Sequence, residues 1–273
     1  MRYRLLAIDL DETLLDAGSK ISPRSKQAIR AAMERDVIVT ISTGRMHLSS
    51  IHYVRELELD REWPVISYMG ALIKTAGNER TLFHCPMTLQ TAVSVAAAAE
   101  ESSEEVCAYI NEQFYINREN RYSRYYRKKY DVPVEVVGRL DRFLEKEGCR
   151  PTKMTIFNWE GEFSGIEGRL SKDYAGRFTM LRPHPFFLEF THRKATKGQA
   201  LHRLAGALNI EREEMISFGD SANDLDMIQY AGLGVAVANA VPEVLEAADL
   251  ITAANTEDGV ARLIEQYISS GLL

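Results

Sequence analysis

The chain has 273 residues, 45% hydrophobic and 26% charged, enough apolar material for one large domain or two smaller ones. A formal net charge of −6 argues against a general nucleic-acid coat and against a binder of anionic membrane surfaces. No apolar run reaches the roughly 18 residues of a membrane span, and the first apolar run is too short for a signal peptide, so a cytoplasmic protein is expected.

Taken in chain order, Arg4–Leu10 reads as a strand built on Leu5-Leu6-Ala7-Ile8. Ser22–Arg35 reads as an amphipathic helix, with Ser22 as N-cap and Pro23 in the first turn. Val37–Ser42 is a second apolar strand, His47–Leu57 a helix and Pro64–Tyr68 a third strand. This alternation predicts a parallel sheet with helices on its faces. The texture then changes. Thr81–Pro86, Val106–Ile110, Gln113–Asn117, Lys153–Trp159, Phe178–Arg182 and Phe186–Thr191 look like half-buried strands. They are interleaved with helices near Thr88–Glu101, Arg139–Glu147 and Gly161–Lys172. The basic, tyrosine-rich run Arg121–Tyr130 reads as a further amphipathic helix, tyrosines inward and cations outward. From Lys197 the first texture returns: helix Lys197–Leu208, strand Met215–Phe218, helix Ala222–Ala231, strand Leu233–Val237, helix Pro242–Ala248, strand Leu250–Ile251 and helix Asp258–Ser269. The expected fold class is therefore α/β. A doubly wound, Rossmann-like core (residues 1–82 and 194–273) is interrupted by an inserted, more antiparallel α+β domain (residues 83–193).

Four segments end a predicted core strand or open the helix after it, which is where open α/β sheets place ligands. They are Asp9-Leu-Asp11-Glu-Thr13, Ser42-Thr43-Gly44-Arg45, Lys197-Gly198, and Gly219-Asp220-Ser221-Ala222-Asn223-Asp224. Carboxylates at the end of an apolar strand are costly to hold near a core unless they are paired or bind something.

These segments, in this order, resemble the four motifs of the haloacid dehalogenase superfamily of phosphohydrolases. An insertion between the second and third motifs resembles the Cof-type subfamily with a type-2B cap. The resemblance spans essentially the whole chain and implies a phosphatase with Mg²⁺ as cofactor. Asp9 is then the nucleophile, attacking phosphorus to form an aspartyl-phosphate. Asp11 is the general acid and base, which needs a pKa above the ordinary value of about 3.9. Thr43 offers its hydroxyl and backbone amides to the transferring phosphoryl group, and Gly44 lets the backbone turn closely. Arg45 is a candidate substrate contact. Lys197 neutralises nucleophile and phosphate together; a lysine at a helix start opposes the helix dipole, so a nearby anion accounts for it. Asp220 and Asp224, with Asp9 and the main-chain carbonyl of Asp11, resemble the family's Mg²⁺ site, and their hard oxygen donors suit that ion. Whether Asp224 binds directly, through water, or orients Lys197 stays open. Asn223 and Asn239 are candidate phosphate-pocket residues.

One departure stands out. After the third strand, relatives commonly carry Asn-Gly-Ala, and this chain has Met69-Gly70-Ala71. Three widely spaced cysteines, Cys85, Cys107 and Cys149, without C-x-x-C read as unlinked thiols. The expected partner is a small phosphorylated metabolite, a sugar phosphate or a phosphorylated cofactor, with no nucleic acid and no membrane. A sugar phosphomutase on the same scaffold and a non-catalytic metabolite sensor are the competing readings. Monomer and homodimer are both open.

Overall fold

Leu5–Ile8 (β1) is solvent-free on both faces, the condition of a strand in the middle of a sheet covered on each side. The computed structural model, which describes residues 2–59, 62–77, 80–173 and 176–273, supplies both covers. The chain divides into two compact units, one of residues up to Phe83 together with Thr196–Leu273, the other His84–Ala195. These divisions fall one and two residues beyond the boundaries expected from sequence.

After β1 the first unit continues with Pro23–Met33 (α1), Ile38–Ser42 (β2), His47–Glu56 (α2), Pro64–Ser67 (β3), Leu72–Thr75 (β4) and Thr81–His84 (β5). Ser22 caps α1 as expected, its hydroxyl accepting the Ser25 amide at 3.0 Å. The second unit contains Leu89–Glu101 (α3), Glu105–Ile110 (β6), Gln113–Ile116 (β7), Arg121–Tyr130 (α4), Val134–Val136 (β8), Leu140–Glu147 (α5), Lys153–Phe157 (β9), Ser164–Asp173 (α6), Phe178–His184 (β10) and Phe187–His192 (β11). The first unit then resumes with Lys197–Leu208 (α7), Met215–Gly219 (β12), Leu225–Tyr230 (α8), Leu233–Val237 (β13), Pro242–Ala247 (α9), Leu250–Thr252 (β14) and Gly259–Ser269 (α10).

Among the described residues the first unit carries an eight-stranded sheet in the order β14-β13-β12-β1-β2-β3-β4-β5. From β14 to β3 every pairing is parallel. Leu6 and Ile8 point to one face, with Val39, Ile41, Ile216 and Phe218, beneath α1, α2 and α10. Leu5 and Ala7 point to the other, with Met215, beneath α7 and α8. Each fully buried large aliphatic of this set contributes roughly 2 kcal/mol of transfer free energy.

The structure adds one strand and corrects one expectation. β4 turns back antiparallel on β3 through Tyr68–Gly70, a hairpin whose sequence lacks the usual turn dipeptides. Thr81–His84 extends this first sheet as its edge strand instead of starting the inserted unit. Leu82 is exposed there, and a half-polar edge strand reads alike whichever sheet it joins.

Among the described residues the second unit carries a six-stranded sheet, β10-β11-β9-β6-β7-β8, antiparallel throughout except for β7 with β8. Helices α3, α5 and α6 cover one face over Val106, Ala108, Met154, Ile156, Leu188 and Phe190. The opposite face carries aromatic rings, Tyr109, Phe114, Phe157 and Phe187. Tyr122 and Tyr126 of α4 lie against Phe114, while Tyr125 is about half exposed beside the outward cations.

Candidate active site

Three neighbouring strands end side by side. β12, β1 and β2 finish at Gly219, Ile8 and Ser42, and the next residues are Asp220, Asp9 and Thr43. β1 is where the strand order reverses, since the chain winds outward through β2 and β3 first and through β12, β13 and β14 later. That reversal leaves a crevice at the carboxyl ends of the strands.

Lys197 begins α7, whose N-cap Thr196 accepts the Gln199 amide at 3.3 Å. Its side chain is wholly buried. The ammonium stands 2.5 Å from Asp9 Oδ1 and 2.5 Å from Asp224 Oδ1. Burial by itself disfavours the charged lysine, but Asp224 and then Asp9 outweigh it, so its pKa is raised and it stays protonated.

Asp220 receives the Thr13 hydroxyl on Oδ1 at 2.8 Å, which joins the turn after β1 to the turn after β12. Asp224 is held from both sides. Its Oδ1 faces Lys197, and its Oδ2 accepts the amides of Asp220 at 3.2 Å and Ser221 at 3.1 Å and the Ser221 hydroxyl at 3.3 Å. Gly219 allows this close return of the chain, because a Cβ there would lie 2.4 Å from Asp224 Cβ. Asp224 thus ties the Lys197 ammonium to the turn after β12.

Thr43 is fully buried and not a helix cap; α2 begins after Met46 without a side-chain cap. Its amide donates to Ile66 O at 2.9 Å, so the hydroxyl, not that amide, is what Thr43 can offer a phosphoryl group. Arg45 sends Nε to Asp11 Oδ2 at 2.8 Å and Nη2 to Asp11 Oδ1, a two-armed fork. Asp11 is about half exposed, and its carboxylate stands apart from the Asp9, Asp220 and Asp224 trio. Met69 lies over Gly44, where a Cβ would meet Met69 Cε at 2.7 Å.

Asn223 accepts the Ser221 hydroxyl on Oδ1 at 3.2 Å and so sits in the same turn as Asp220 and Asp224. Asn239 is engaged with main chain at both ends: Nδ2 donates to Glu12 O at 2.8 Å, and Oδ1 accepts the Asn255 amide at 2.9 Å. It pins the turn after β1. Sequence reasoning assigns no role to Thr13, Ser221 or Tyr53. Thr13 carries a signal, as the last letter of D-x-D-x-T; Tyr53, whose hydroxyl lies 3.5 Å from Arg45 Nη1, carries none.

Asp9, Asp220 and Asp224 are buried, and one oxygen from each lies within 4.8 Å of the others. Three carboxyl groups stand against one ammonium, a formal charge of −2 with all three ionised. Burial raises Asp9 well above the ordinary carboxylate range; Lys197 opposes this, and Asp224, Asp220 and Asp11 add to it. Burial, then Asp224, lifts Asp220 to about 7 against the Thr13 hydrogen bond. An all-oxygen donor set with this charge fits a hard divalent cation.

Comparison with known proteins agrees with this geometry. The family model of haloacid dehalogenase-like hydrolases matches residues 6–264. The Bacillus subtilis protein YxeH, provisionally named a phosphatase, is 34% identical over 97% of this chain and 98% of its own. Another Bacillus subtilis relative, named 5-amino-6-(5-phospho-D-ribitylamino)uracil phosphatase YitU, is 29% identical over 97% of each chain. The crystal structure of a haloacid dehalogenase-like hydrolase from Bacteroides thetaiotaomicron superposes with a TM-score of 0.87 at 26% identity, covering 97% of this chain and 99% of that one. With its motifs gathered at one sheet edge and its whole length matched, the chain belongs to the haloacid dehalogenase-like hydrolases and is a phosphatase of that family.

Proposed function

We propose that the enzyme is a Mg²⁺-dependent phosphatase of small phosphorylated metabolites that works through an aspartyl-phosphate. The observation that carries this reading is Lys197, buried and bridging Asp9 and Asp224 beside Asp220. A lysine placed so has no packing purpose that a leucine would not serve better. Its use is to oppose protonation of Asp9 and to accept a second anion next to it.

Asp9 attacks phosphorus as the bond to the leaving oxygen breaks. Asp11 gives that oxygen a proton, then takes one from the water that attacks the aspartyl-phosphate. Lys197 and the Thr43 hydroxyl balance charge on the phosphoryl oxygens, and Asp224 keeps Lys197 aimed. Asp9, Asp220 and the Asp11 main-chain carbonyl would hold Mg²⁺, with Asp224 behind them. When bound, the ion screens the carboxylates from the phosphate and polarises it.

The substrate class is a sugar phosphate or a phosphorylated cofactor, and the compound in the name of the 29% identical relative belongs in any panel tested. The test is phosphate release from such a panel with Mg²⁺, with EDTA, and with Asp9→Asn. Activity that EDTA abolishes and Asp9→Asn lowers by orders of magnitude is expected. Full turnover by Asp9→Asn would overturn the mechanism.

A further inference from the structure

Asp11 is half exposed on a turn, and its neighbour Glu12 has a left-handed backbone with φ of 60°. Left to itself, such a carboxylate samples several rotamers. Here both oxygens are taken by one guanidinium, through Arg45 Nε and Nη2. The guanidinium is itself held. It lies 5.2 Å from the centre of the Tyr53 ring, and its Nη1 reaches the Tyr53 hydroxyl at 3.5 Å. That hydroxyl donates to Ser19 O at 3.1 Å, and the Tyr53 ring is part of the hydrophobic core. A chain of contacts therefore runs from the core of the first unit to the Asp11 carboxylate.

We propose that Arg45, braced by Tyr53, is a positioning residue that fixes the Asp11 carboxylate for proton transfer to the leaving group. This rests on the reading of Asp11 as general acid and base given above. Stability does not explain the arrangement, since a pair with one half-exposed partner adds little to folding. Geometry does: a planar fork sets the plane of a carboxylate as a lysine cannot. Each carboxylate oxygen keeps a second lone pair, so the fork leaves Asp11 a place for the proton it donates. Asp9 and Asp11 then have separate holders, Lys197 for the nucleophile and Arg45 for the proton carrier.

The test exploits the leaving group. Phenyl phosphate needs a proton on its departing oxygen, and 4-nitrophenyl phosphate, of similar size, hardly does. Misplacing the acid should lower kcat/KM for phenyl phosphate by about 10²-fold in Arg45→Ala, and by well under about 10-fold for 4-nitrophenyl phosphate. Arg45→Lys keeps the charge without the fork and should recover little. Tyr53→Phe keeps the ring and the core, so it tests the brace should Arg45→Ala fold poorly; a smaller loss with the same leaving-group preference is expected. Adding Arg45→Ala to Asp11→Asn should slow phenyl phosphate no further. Equal losses on both esters, or losses that multiply with Asp11→Asn, would overturn the clamp and return Arg45 to direct substrate contact. Full turnover by Asp9→Asn would instead overturn the underlying mechanism, so the two failures are distinguishable.

Discussion

Replacing Lys197 with methionine tests the charge balance of the site most directly. Methionine keeps an unbranched stem of similar length and removes only the ammonium. Wild type holds Asp9, Asp220 and Asp224 around one cation, a formal charge of −2 with all three carboxyls ionised; on the same count Lys197→Met takes it to −3. At an effective dielectric constant of about 20, opposite unit charges about 4 Å apart attract by about 4 kcal/mol, and Lys197→Met gives up two such attractions, to Asp9 and Asp224. Removing one member of a buried ion pair costs about 3–5 kcal/mol for the same reason. The metal-free variant should therefore unfold about 3–5 kcal/mol more easily than wild type in urea. Divalent cations should bind it more tightly, because the competing positive charge is gone. Mg²⁺ at 100 times its Kd adds about 2.7 kcal/mol to stability, and each tenfold gain in affinity at fixed Mg²⁺ adds about 1.4 kcal/mol more. The assay is unfolding with EDTA and with Mg²⁺, alongside phosphate release. Stability should return with Mg²⁺ by more than in wild type, while activity stays down by at least about 10²-fold. Lys197→Met/Asp224→Asn restores the charge to −2 and should regain most of the metal-free loss. A metal-free Lys197→Met as stable as wild type, or one that gains less from Mg²⁺, would refute the reasoning.

His47, 2% exposed and with no hydrogen-bond partner on either ring nitrogen among the described residues, has its pKa pushed down to about 4 by burial and Lys74. The unfolded chain takes up that proton first, near its ordinary value of about 6.5, so stability is lost as pH falls from 6.5 toward 4. His47→Leu should gain on wild type by about 2 kcal/mol between pH 8 and pH 5 in urea unfolding, and a pH-independent difference would sink the idea. Gly219→Ala drives a methyl into Asp224 and should lower kcat by about 10²-fold, with a loss of about 1–3 kcal/mol in thermal unfolding. In the second unit, Lys153 Nζ and Glu189 Oε1 lie 2.8 Å apart and buried, so Lys153→Met should cost about 3–5 kcal/mol in urea unfolding. Lys153→Met/Glu189→Leu should be close to neutral by the same measurement.

The first unit is legible in the sequence because its central strands are apolar on both faces and its first helix carries a cap that the residues announce. That signal is Ser22 before Pro23. Its chemistry is legible for a related reason: an acid at the end of a buried strand is too costly to keep there unless it binds or reacts. What pairs with what is less so. That Thr13 bonds Asp220, 207 positions away, depends on β1 and β12 lying side by side, a fact of topology. Arg45 reads as a substrate contact or as half of a surface ion pair, and nothing local names Asp11 as its partner until the turn after β1 is built. Asn239 reads as a pocket residue because no local pattern signals that Glu12 and Asn255 meet its amide.

Met69 shows how a local departure can leave a site intact. Tyr68, Met69 and Gly70 have φ of 52°, 56° and 91°, three successive residues in the left-handed region. That region suits glycine and asparagine and costs other residues about 1–2 kcal/mol each, so the asparagine expected here from the resemblance would answer a demand of the backbone. Tyrosine and methionine do not announce such a turn, which is why the hairpin from β3 to β4 is invisible in the sequence. The turn holds its course through main-chain bonds that any side chain permits: Tyr68 N to Arg45 O at 2.8 Å and Met69 N to Thr43 O at 3.1 Å. These tie it to the loop that carries Thr43 and Arg45. Methionine then adds packing over Gly44, with its side chain 6% exposed. Apolar cover thus stands on this loop where the resemblance leads one to expect an amide, while Asp9, Lys197 and Asp224 meet through contacts in which Met69 takes no part.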